Sequence, residues 1–319
     1  MVVDDPADPG ALRLLLVLAV SPRLFDQGSQ WLTLSYFEMV LTGTTAVSLV
    51  NSIWVSGAAA GLGLLIGFPI AWLTHQTDLP GRRVMAGAMW FVLLLPSRLP
   101  AIGRQRLVQP DGVMYRMGLD WPWVTSLVMG PFGVVLLLGL RCVPFTYLAV
   151  SAALSGLGQE LEDAARVQGA SRLEAIRLVA PILAPAITSS LAIGFVESVS
   201  DFGVASTLAC SSHFPLATYQ LSSFIGGFPP SFPGAAAIGW LLVASVAVPL
   251  VLQARALRGR TYAVLSGRTR PVVRRSLSRR AKAAAVGLVG PFYVVAPGVP
   301  VGSGRSARPC LPTSAPRCG

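Results

Sequence analysis

Residues 48–73 read SLVNSIWVSGAAAGLGLLIGFPIAWL, a stretch without a single charged side chain. A transmembrane α-helix needs about 20 consecutive apolar residues to cross the hydrocarbon core of a bilayer, and this stretch is longer. Its glycines Gly57, Gly61, Gly63 and Gly67 form two small-xxx-small spacings, which allow a neighbouring helix to approach closely. The stretch therefore predicts a membrane-spanning helix with a close-packed face.

The composition of the whole chain is also that of a membrane protein. Of its 319 residues, 53% are hydrophobic and only 12% are charged, and the mean hydropathy is +0.63. A soluble domain has about 25% charged residues, and a disordered chain has far fewer apolar ones. Other weakly charged stretches lie at 84–103, 124–148, 179–200 and 235–253, with a shorter one at 11–21. The predicted fold class is all-α, a polytopic transmembrane helical bundle of about six spans.

The net charge of +11 is distributed unevenly along the chain. Ten of the 25 basic residues lie between Arg255 and Lys282, whereas 200–254 contains none. Basic residues accumulate in cytoplasmic loops, so the loop at 201–234 is predicted to lie outside, and the basic cluster and the N-terminus inside. The cluster indicates attraction to the anionic lipid bilayer. No aromatic-basic module accompanies it, which argues against a nucleic-acid partner.

The most informative polar segment lies between two predicted spans. Residues 161–181 read LEDAARVQGASRLEAIRLVAP. Acidic side chains such as Glu162 and Asp163 favour a helix N-terminus, and Gly169 provides a break before a second short helix that leads to Pro181. We predict a helix–turn–helix unit on the cytoplasmic side.

This segment resembles the EAA motif of binding-protein-dependent ABC importer permeases: Glu-Ala-Ala, three residues, Gly, nine residues and Ile-x-Leu-Pro. The residues that carry the likeness are Asp163, in place of Glu, Ala164, Ala165 and Gly169, whereas Pro181 comes one residue early. In that family the loop is the coupling helix that fits a cleft of the ATPase subunit. The resemblance therefore implies that residues 158–181, Glu162 among them, contact a separate ATPase.

Further segments resemble the iron(III)-type branch of these permeases, which have a MetI-like transmembrane domain. They are Asn51-Ser52, Leu79-Pro80-Gly81-Arg82, Leu95-Pro96-Ser97, Pro144-Phe145-Thr146-Tyr147 and Glu197-Ser198-Val199-Ser200-Asp201-Phe202-Gly203. The branch commonly fuses two permease halves, and the resemblance covers about 30–280, the first half. It implies import of iron(III), with thiamine, aminoethylphosphonate and polyamine as alternatives.

The predicted organisation has an N-terminal tail at 1–10, the permease domain at 11–253 and a basic cytoplasmic linker at 254–282. Residues 283–319 resemble the start of another span followed by a disordered tail rich in Pro, Ser and Arg. We expect either a half-permease that pairs with a second half or a second copy, or a truncated or frame-shifted, non-transporting remnant. A secondary transporter working alone is disfavoured because no internal repeat is visible.

The sequence holds no motif for catalysis. A Walker A loop needs Gly-Lys-Ser/Thr, and the only lysine, Lys282, follows Ala281. HExxH and GxSxG motifs are absent, and the cysteines and histidines are too scattered for a metal site. The resemblance implies no cofactor, and it places ATP hydrolysis in partner ABC ATPase subunits. An extracytoplasmic substrate-binding protein would deliver substrate to this multi-pass protein of the bacterial inner membrane.

Charged residues inside predicted spans are the candidates for the translocation path. Arg141 lies within 124–148, and Glu197 and Asp201 lie at the end of 179–200. An unpaired charge at the centre of a span costs about 2.5–3.5 kcal/mol on insertion scales. We expect Glu197 and Asp201 to line the path, where carboxylates would suit a hard cation, with solvation at the water boundary as the alternative. Arg141 is expected to pair with Glu197 or to extend to the interface.

Overall fold

The computed structural model describes residues 31–78, 81–108, 112–116, 121–156, 172–209 and 214–258, together with positions 14, 17–21, 23, 118 and 287. Within these ranges the chain is mainly helical. The helices are α1 (Ser35–Val40), α2 (Gly43–Gln76), α3 (Arg82–Leu94), α4 (Arg98–Val108), α5 (Val113–Arg116), α6 (Pro122–Met129), α7 (Pro131–Gly156), α8 (Arg172–Ser200), α9 (Phe202–Val204), α10 (Ala217–Gly226) and α11 (Phe232–Leu257). A π-helix, Ala205–Ala209, follows α9 directly.

Among the described residues, 4 helical segments are long and apolar enough to cross a membrane: α2, α7, Ile182–Leu208 and α11. The pair α3 and α4 forms a fifth candidate, bent by 91°. The predicted all-α membrane bundle is confirmed. The described part of the chain holds four or five candidate spans rather than about six, and the short stretch at 11–21 lies mostly outside it.

The predicted span at 84–103 corresponds to the bent pair α3 and α4 and not to one straight helix. Helix α3 ends at Leu94, and α4 leaves at 91° from Arg98. Pro96 lacks the backbone N–H that a continuous helix needs, and a residue before proline prefers an extended conformation. Leu95 is accordingly extended, with φ −74° and ψ 122°.

Two further boundaries differ from the prediction. The stretch at 124–148 is divided at Gly130, where α6 ends in extended backbone, and Pro131 opens the long helix α7. Proline is well tolerated in the first turn of a helix, where its missing N–H has no partner to lose. At α8, the short helix predicted to lead to Pro181 and the span after it form one continuous helix from Arg172.

Helix α7 is the centre of the bundle. Of its membrane window, 67% is buried, compared with 22% for α11. Its contact with α2 depends on small residues: a Cβ added at Gly63 would lie 3.0 Å from the backbone carbon of Cys142, and one at Gly67 would lie 2.9 Å from the carbonyl oxygen of Val143. The predicted close-packed face is therefore formed by Gly63 and Gly67. At Gly57 and Gly61 no described atom lies within 4 Å of such a Cβ, so a close approach there stays a prediction.

We expect Gly67→Ala to destabilise the bundle, because its methyl group would lie 2.8 Å from Cβ of Thr146. Overpacking of this kind costs about 1–3 kcal/mol, which corresponds to a fall of several degrees in the melting temperature of the detergent-solubilised protein. Gly61→Ala, on the same helix but without a close neighbour, is the matched control and should melt at or slightly above the wild-type temperature. Equal melting temperatures for the two variants would contradict the packing described for α2 and α7.

Candidate functional site

Arg141 lies near the middle of α7, and its guanidinium joins two broken helices. Its Nη1 donates a hydrogen bond to the carbonyl oxygen of Leu95 at 2.9 Å, and its Nε lies 3.6 Å from Oδ2 of Asp201. The Asp201 side chain is only 5% exposed and that of Arg141 22%. The sequence predicts that Arg141 pairs with Glu197 or extends to the interface. Its partner is instead Asp201, one helical turn after Glu197. Asp201 is enclosed by protein rather than solvated at a water boundary.

The side chains in this cluster form hydrogen bonds with backbone groups that lose their helical partner at a break. The Leu95 carbonyl precedes Pro96 at the end of α3, and Arg141 supplies its donor. Oδ1 of Asp201 accepts a hydrogen bond from the Val204 N–H at 2.7 Å and so caps α9. Inside a membrane no water is available to such groups, so side chains must take its place.

The two breaks touch each other at Gly203. A Cβ at this position would overlap Oγ of Ser97 and would lie 2.9 Å from the backbone nitrogen of Arg98. Only glycine fits here without a shift of the backbone. The segments Leu95-Pro96-Ser97 and Asp201-Phe202-Gly203, which the sequence singles out separately, thus form one site.

A third break, before α10, is held by α2. Nδ2 of Asn51 donates to the carbonyl oxygen of Pro215 at 3.1 Å, and Oγ of Ser52 accepts from the buried Ala217 N–H at 2.8 Å. The hydroxyl of Thr218 then donates to the Asp201 carbonyl oxygen at 3.2 Å, which connects α10 to the ion pair. The predicted loop at 201–234 is therefore not a purely irregular connection, since it contains α10 and is anchored inside the bundle.

Apolar side chains surround this junction on the side of α4. Buried residues from five helices form one cluster there, among them Val55 of α2, Ala101 of α4, Leu137 of α7 and Leu208 of the π-helix. Such an environment excludes water and raises the cost of leaving any polar group without a partner. The junction is consequently a mostly buried polar site against an apolar cluster, with the Asp201 side chain enclosed and that of Arg141 partly exposed.

Glu197 has a different environment from Asp201. It lies near the middle of the span Ile182–Leu208, on an exposed side of α8 that it shares with Ile193 one turn before and Ser200 one turn after. Among the described residues it has no hydrogen bond or ion pair. The structure therefore does not bring together the two carboxylates that the sequence assigns to the path.

Most of the residues predicted to couple to an ATPase lie in the connection between α7 and α8. Glu162, Asp163, Ala164, Ala165 and Gly169 lie outside the described residues, and Pro181 is described by its backbone only, as part of α8. Their role stays a prediction. In the described part of the chain, no three His, Cys, Asp or Glu side chains come together as metal ligands.

Residues 63–261 match the model of the family described as binding-protein-dependent transport system inner membrane component. The chain belongs to this family. It is a multi-pass permease component of an ABC importer, in which ATP hydrolysis is carried out by a separate subunit. Membership implies an ATPase and a substrate-binding protein as partners in general terms.

Several permeases of this family with named substrates are similar to the chain. The sulfate transport system permease protein CysT of Salmonella typhimurium is 24% identical over 73% of this chain and 83% of its own length. The molybdenum transport system permease protein ModB of Escherichia coli is 26% identical over 67% of this chain and 92% of its own length. A Haemophilus influenzae protein whose name assigns it to ferric transport, FbpB 1, is 23% identical over 87% of this chain, and the chain spans 44% of that relative.

A solved structure supports the fold. A chain of a bacterial ABC transporter involved in the import of the acidic polysaccharide alginate superposes with a TM-score of 0.59. The match covers 79% of this chain and 89% of the other, at 18% sequence identity. The permease family predicted from the sequence is thus confirmed. Its iron(III) branch is not singled out, because the relatives are named for sulfate, molybdenum and ferric transport.

Proposed function

We propose that this chain forms part of the translocation path of an ABC importer for a small inorganic oxyanion of the sulfate or molybdate type. The observation that carries the proposal is the extent of the match to relatives named for these ions, which reaches 83% of CysT and 92% of ModB. The contacts of the described carboxylates are compatible with an oxyanion substrate. The Asp201 carboxylate is occupied by Arg141 and Val204, and the described residues offer no cluster of ligands for a hard cation.

Iron(III) is the second candidate substrate. It is favoured by the residue patterns described from the sequence and by the ferric-transport relative, which matches 87% of this chain. Delivery by an external binding protein would place metal selection outside the permease. The absence of a metal-ligand cluster among the described residues is compatible with that arrangement.

The proposed assembly follows from the charge of the sequence. The basic residues from Arg255 onward lie on the cytoplasmic side, where the ATPase subunits bind. In this proposal 158–181 is the coupling loop that contacts them. The binding protein then docks at the opposite, outer end. A second permease half or a second copy completes the path.

We assign the exposed side of α8 around Glu197 to the translocation path. A carboxylate near the middle of a span is costly against lipid, so intramembrane acidic residues face the bundle interior or a water-filled cavity. Glu197 faces away from the helices described here, and Ile193 and Ser200 share its exposed side. The side of α8 that carries them is therefore turned toward water in the path between this chain and its permease partner.

Glu197→Cys should react with a charged, membrane-impermeant methanethiosulfonate reagent in the assembled complex, because a thiol in a watery path ionises and meets the reagent. The background carries Ser at Cys210, Cys310 and Cys318, whereas Cys142 is buried. Leu250→Cys, at an exposed apolar position of α11, is the matched control and should stay unlabelled in lipid. Labelling of Leu250→Cys but not of Glu197→Cys would contradict the assignment.

Uptake by proteoliposomes tests the function itself. The vesicles contain this chain with its permease and ATPase partners, ATP inside and the binding protein outside. We expect accumulation of radiolabelled sulfate or molybdate and none of iron(III). As a control for coupling, Gly169→Pro should insert into the membrane but lose the stimulation of ATP hydrolysis by the binding protein, since proline breaks the proposed coupling loop.

The outcomes separate the alternatives. Accumulation of iron(III) alone would reject the oxyanion proposal in favour of the second candidate. If a fully assembled complex shows no uptake and no stimulated ATP hydrolysis, the chain is a non-transporting remnant. Normal stimulation in Gly169→Pro would remove 158–181 from the coupling pathway.

A further inference from the structure

We propose that Arg141 is a positioning residue of the transport cycle: with Asp201 it forms a latch that holds two broken helices together at rest and opens for transport. The latch consists of the Arg141 guanidinium, the Asp201 carboxylate and the Leu95 carbonyl group. The inference rests on the chain's function as an importer permease and is independent of which ion is carried.

The latch connects long, closely packed helices with short helical segments. Helices α2, α7 and α8 are long and contact each other through close approaches at Gly63, Gly67 and Gly194. In contrast, α4, α9, the π-helix and α10 are short segments next to breaks. The long helices contribute side chains to the junction, whereas the short segments contribute backbone groups together with the Asp201 carboxylate and the Thr218 hydroxyl. A rigid frame thus holds the short segments by polar contacts.

The chemistry of these contacts suits a reversible connection. A buried ion pair adds little net stability compared with apolar packing, because removing both charges from water cancels most of their attraction. A neutral donor and a neutral acceptor could therefore satisfy the Leu95 carbonyl and the Val204 N–H without the charges of an Arg and an Asp. The Nε–Oδ2 distance of 3.6 Å is also longer than the roughly 2.7–2.9 Å of a tight charge-assisted hydrogen bond. In the proposed cycle the pair separates when the two breaks move together away from Arg141 on α7.

The π-helix next to the latch also supports a reversible connection. A π-helix is rare and occurs frequently at functional sites, and here it follows the Asp201 break directly. It packs against α4, the helix that begins on the other side of the latch. Opening the Arg141–Asp201 pair would release α4 and the π-helix together, since Gly203 holds the two breaks in contact.

The test uses the assembled complex in lipid, with ATP hydrolysis measured with and without the binding protein. Asp201→Asn keeps a carbonyl oxygen to cap Val204 but removes the charge that holds Arg141. We expect its basal hydrolysis to rise about fivefold or more and the stimulated-to-basal ratio to fall toward one, the range of a typical allosteric coupling. Arg141→Gln should behave alike. Arg141→Lys, which has one nitrogen for two partners, should be intermediate.

Gln253→Ala is the matched control. Nε2 of Gln253 donates to Oγ of Ser189 at 2.7 Å and so also joins two helices, but far along the chain from the breaks. Its basal rate and stimulation ratio should equal those of the wild type. Asp201→Asn, the more conservative change, carries the test alone if Arg141→Gln does not assemble.

Two results would overturn the latch. One is an unchanged basal rate and ratio in assembled Asp201→Asn, and the other is a proportional fall of both rates, which a merely structural role produces. If Asp201→Asn shows the expected rates while no oxyanion is imported by the wild type, the latch stands and only the substrate proposal fails.

Discussion

A helix that breaks inside a membrane must find protein partners for the backbone groups it exposes, since the hydrocarbon offers none. This chain breaks its helices at Leu95–Ser97, at Asp201 and before Ala217. Side chains on long neighbouring helices satisfy the first and third breaks, and the Asp201 carboxylate caps the second itself. Arg141 serves the first break and Ser52 the third. This requirement explains Asn51 and Ser52 of α2 and Arg141 of α7, and the arrangement of the short segments depends on them.

The same requirement connects the fold to transport. A permease has to seal the membrane at rest and yet open a path for a polar solute. Some of its buried polar groups must therefore have partners at rest, in contacts that can break during transport. Apolar packing between α2 and α7 is suited to the permanent part, because Gly63 and Gly67 bring the helices too close for rearrangement. The ion pair between Arg141 and Asp201 is suited to the breakable part. Glu197, on the outer side of α8, would meet the solute after the junction opens.

Much of this fold was predictable from the sequence. The long uncharged stretches at 48–73 and 235–253 correspond to α2 and α11, because few structures other than a span accommodate so many consecutive apolar residues. The stretch at 84–103 remains a candidate span, but its bend was not predictable from its apolar composition. Counting charges detects an apolar segment but not its direction, and the 91° bend depends on Pro96 and on partners elsewhere in the chain.

The site was predictable only in its components. The sequence identifies Arg141 and Asp201 as charges in spans, and Gly203 and Ser97 as parts of separate segments. Their meeting depends on long-range packing: Arg141 bonds to Leu95, 46 residues away, and Ser52 to Ala217, 165 residues away. Hydrophobic periodicity contains no information on such pairs. Opposite charges in two neighbouring spans are the one signal that pointed to them, and the helical position of the acidic partner differed by one turn.

The central claim is that the Arg141–Asp201 pair holds the short segments in their resting arrangement. It is tested most directly by electron–electron double resonance between spin labels at Leu99 of α4 and Ile225 of α10, both exposed. The wild-type complex should give one narrow distance without nucleotide and a second distance when trapped with ATP and vanadate. Asp201→Asn should populate that second distance without nucleotide. Identical distributions in both proteins and both states would contradict the claim.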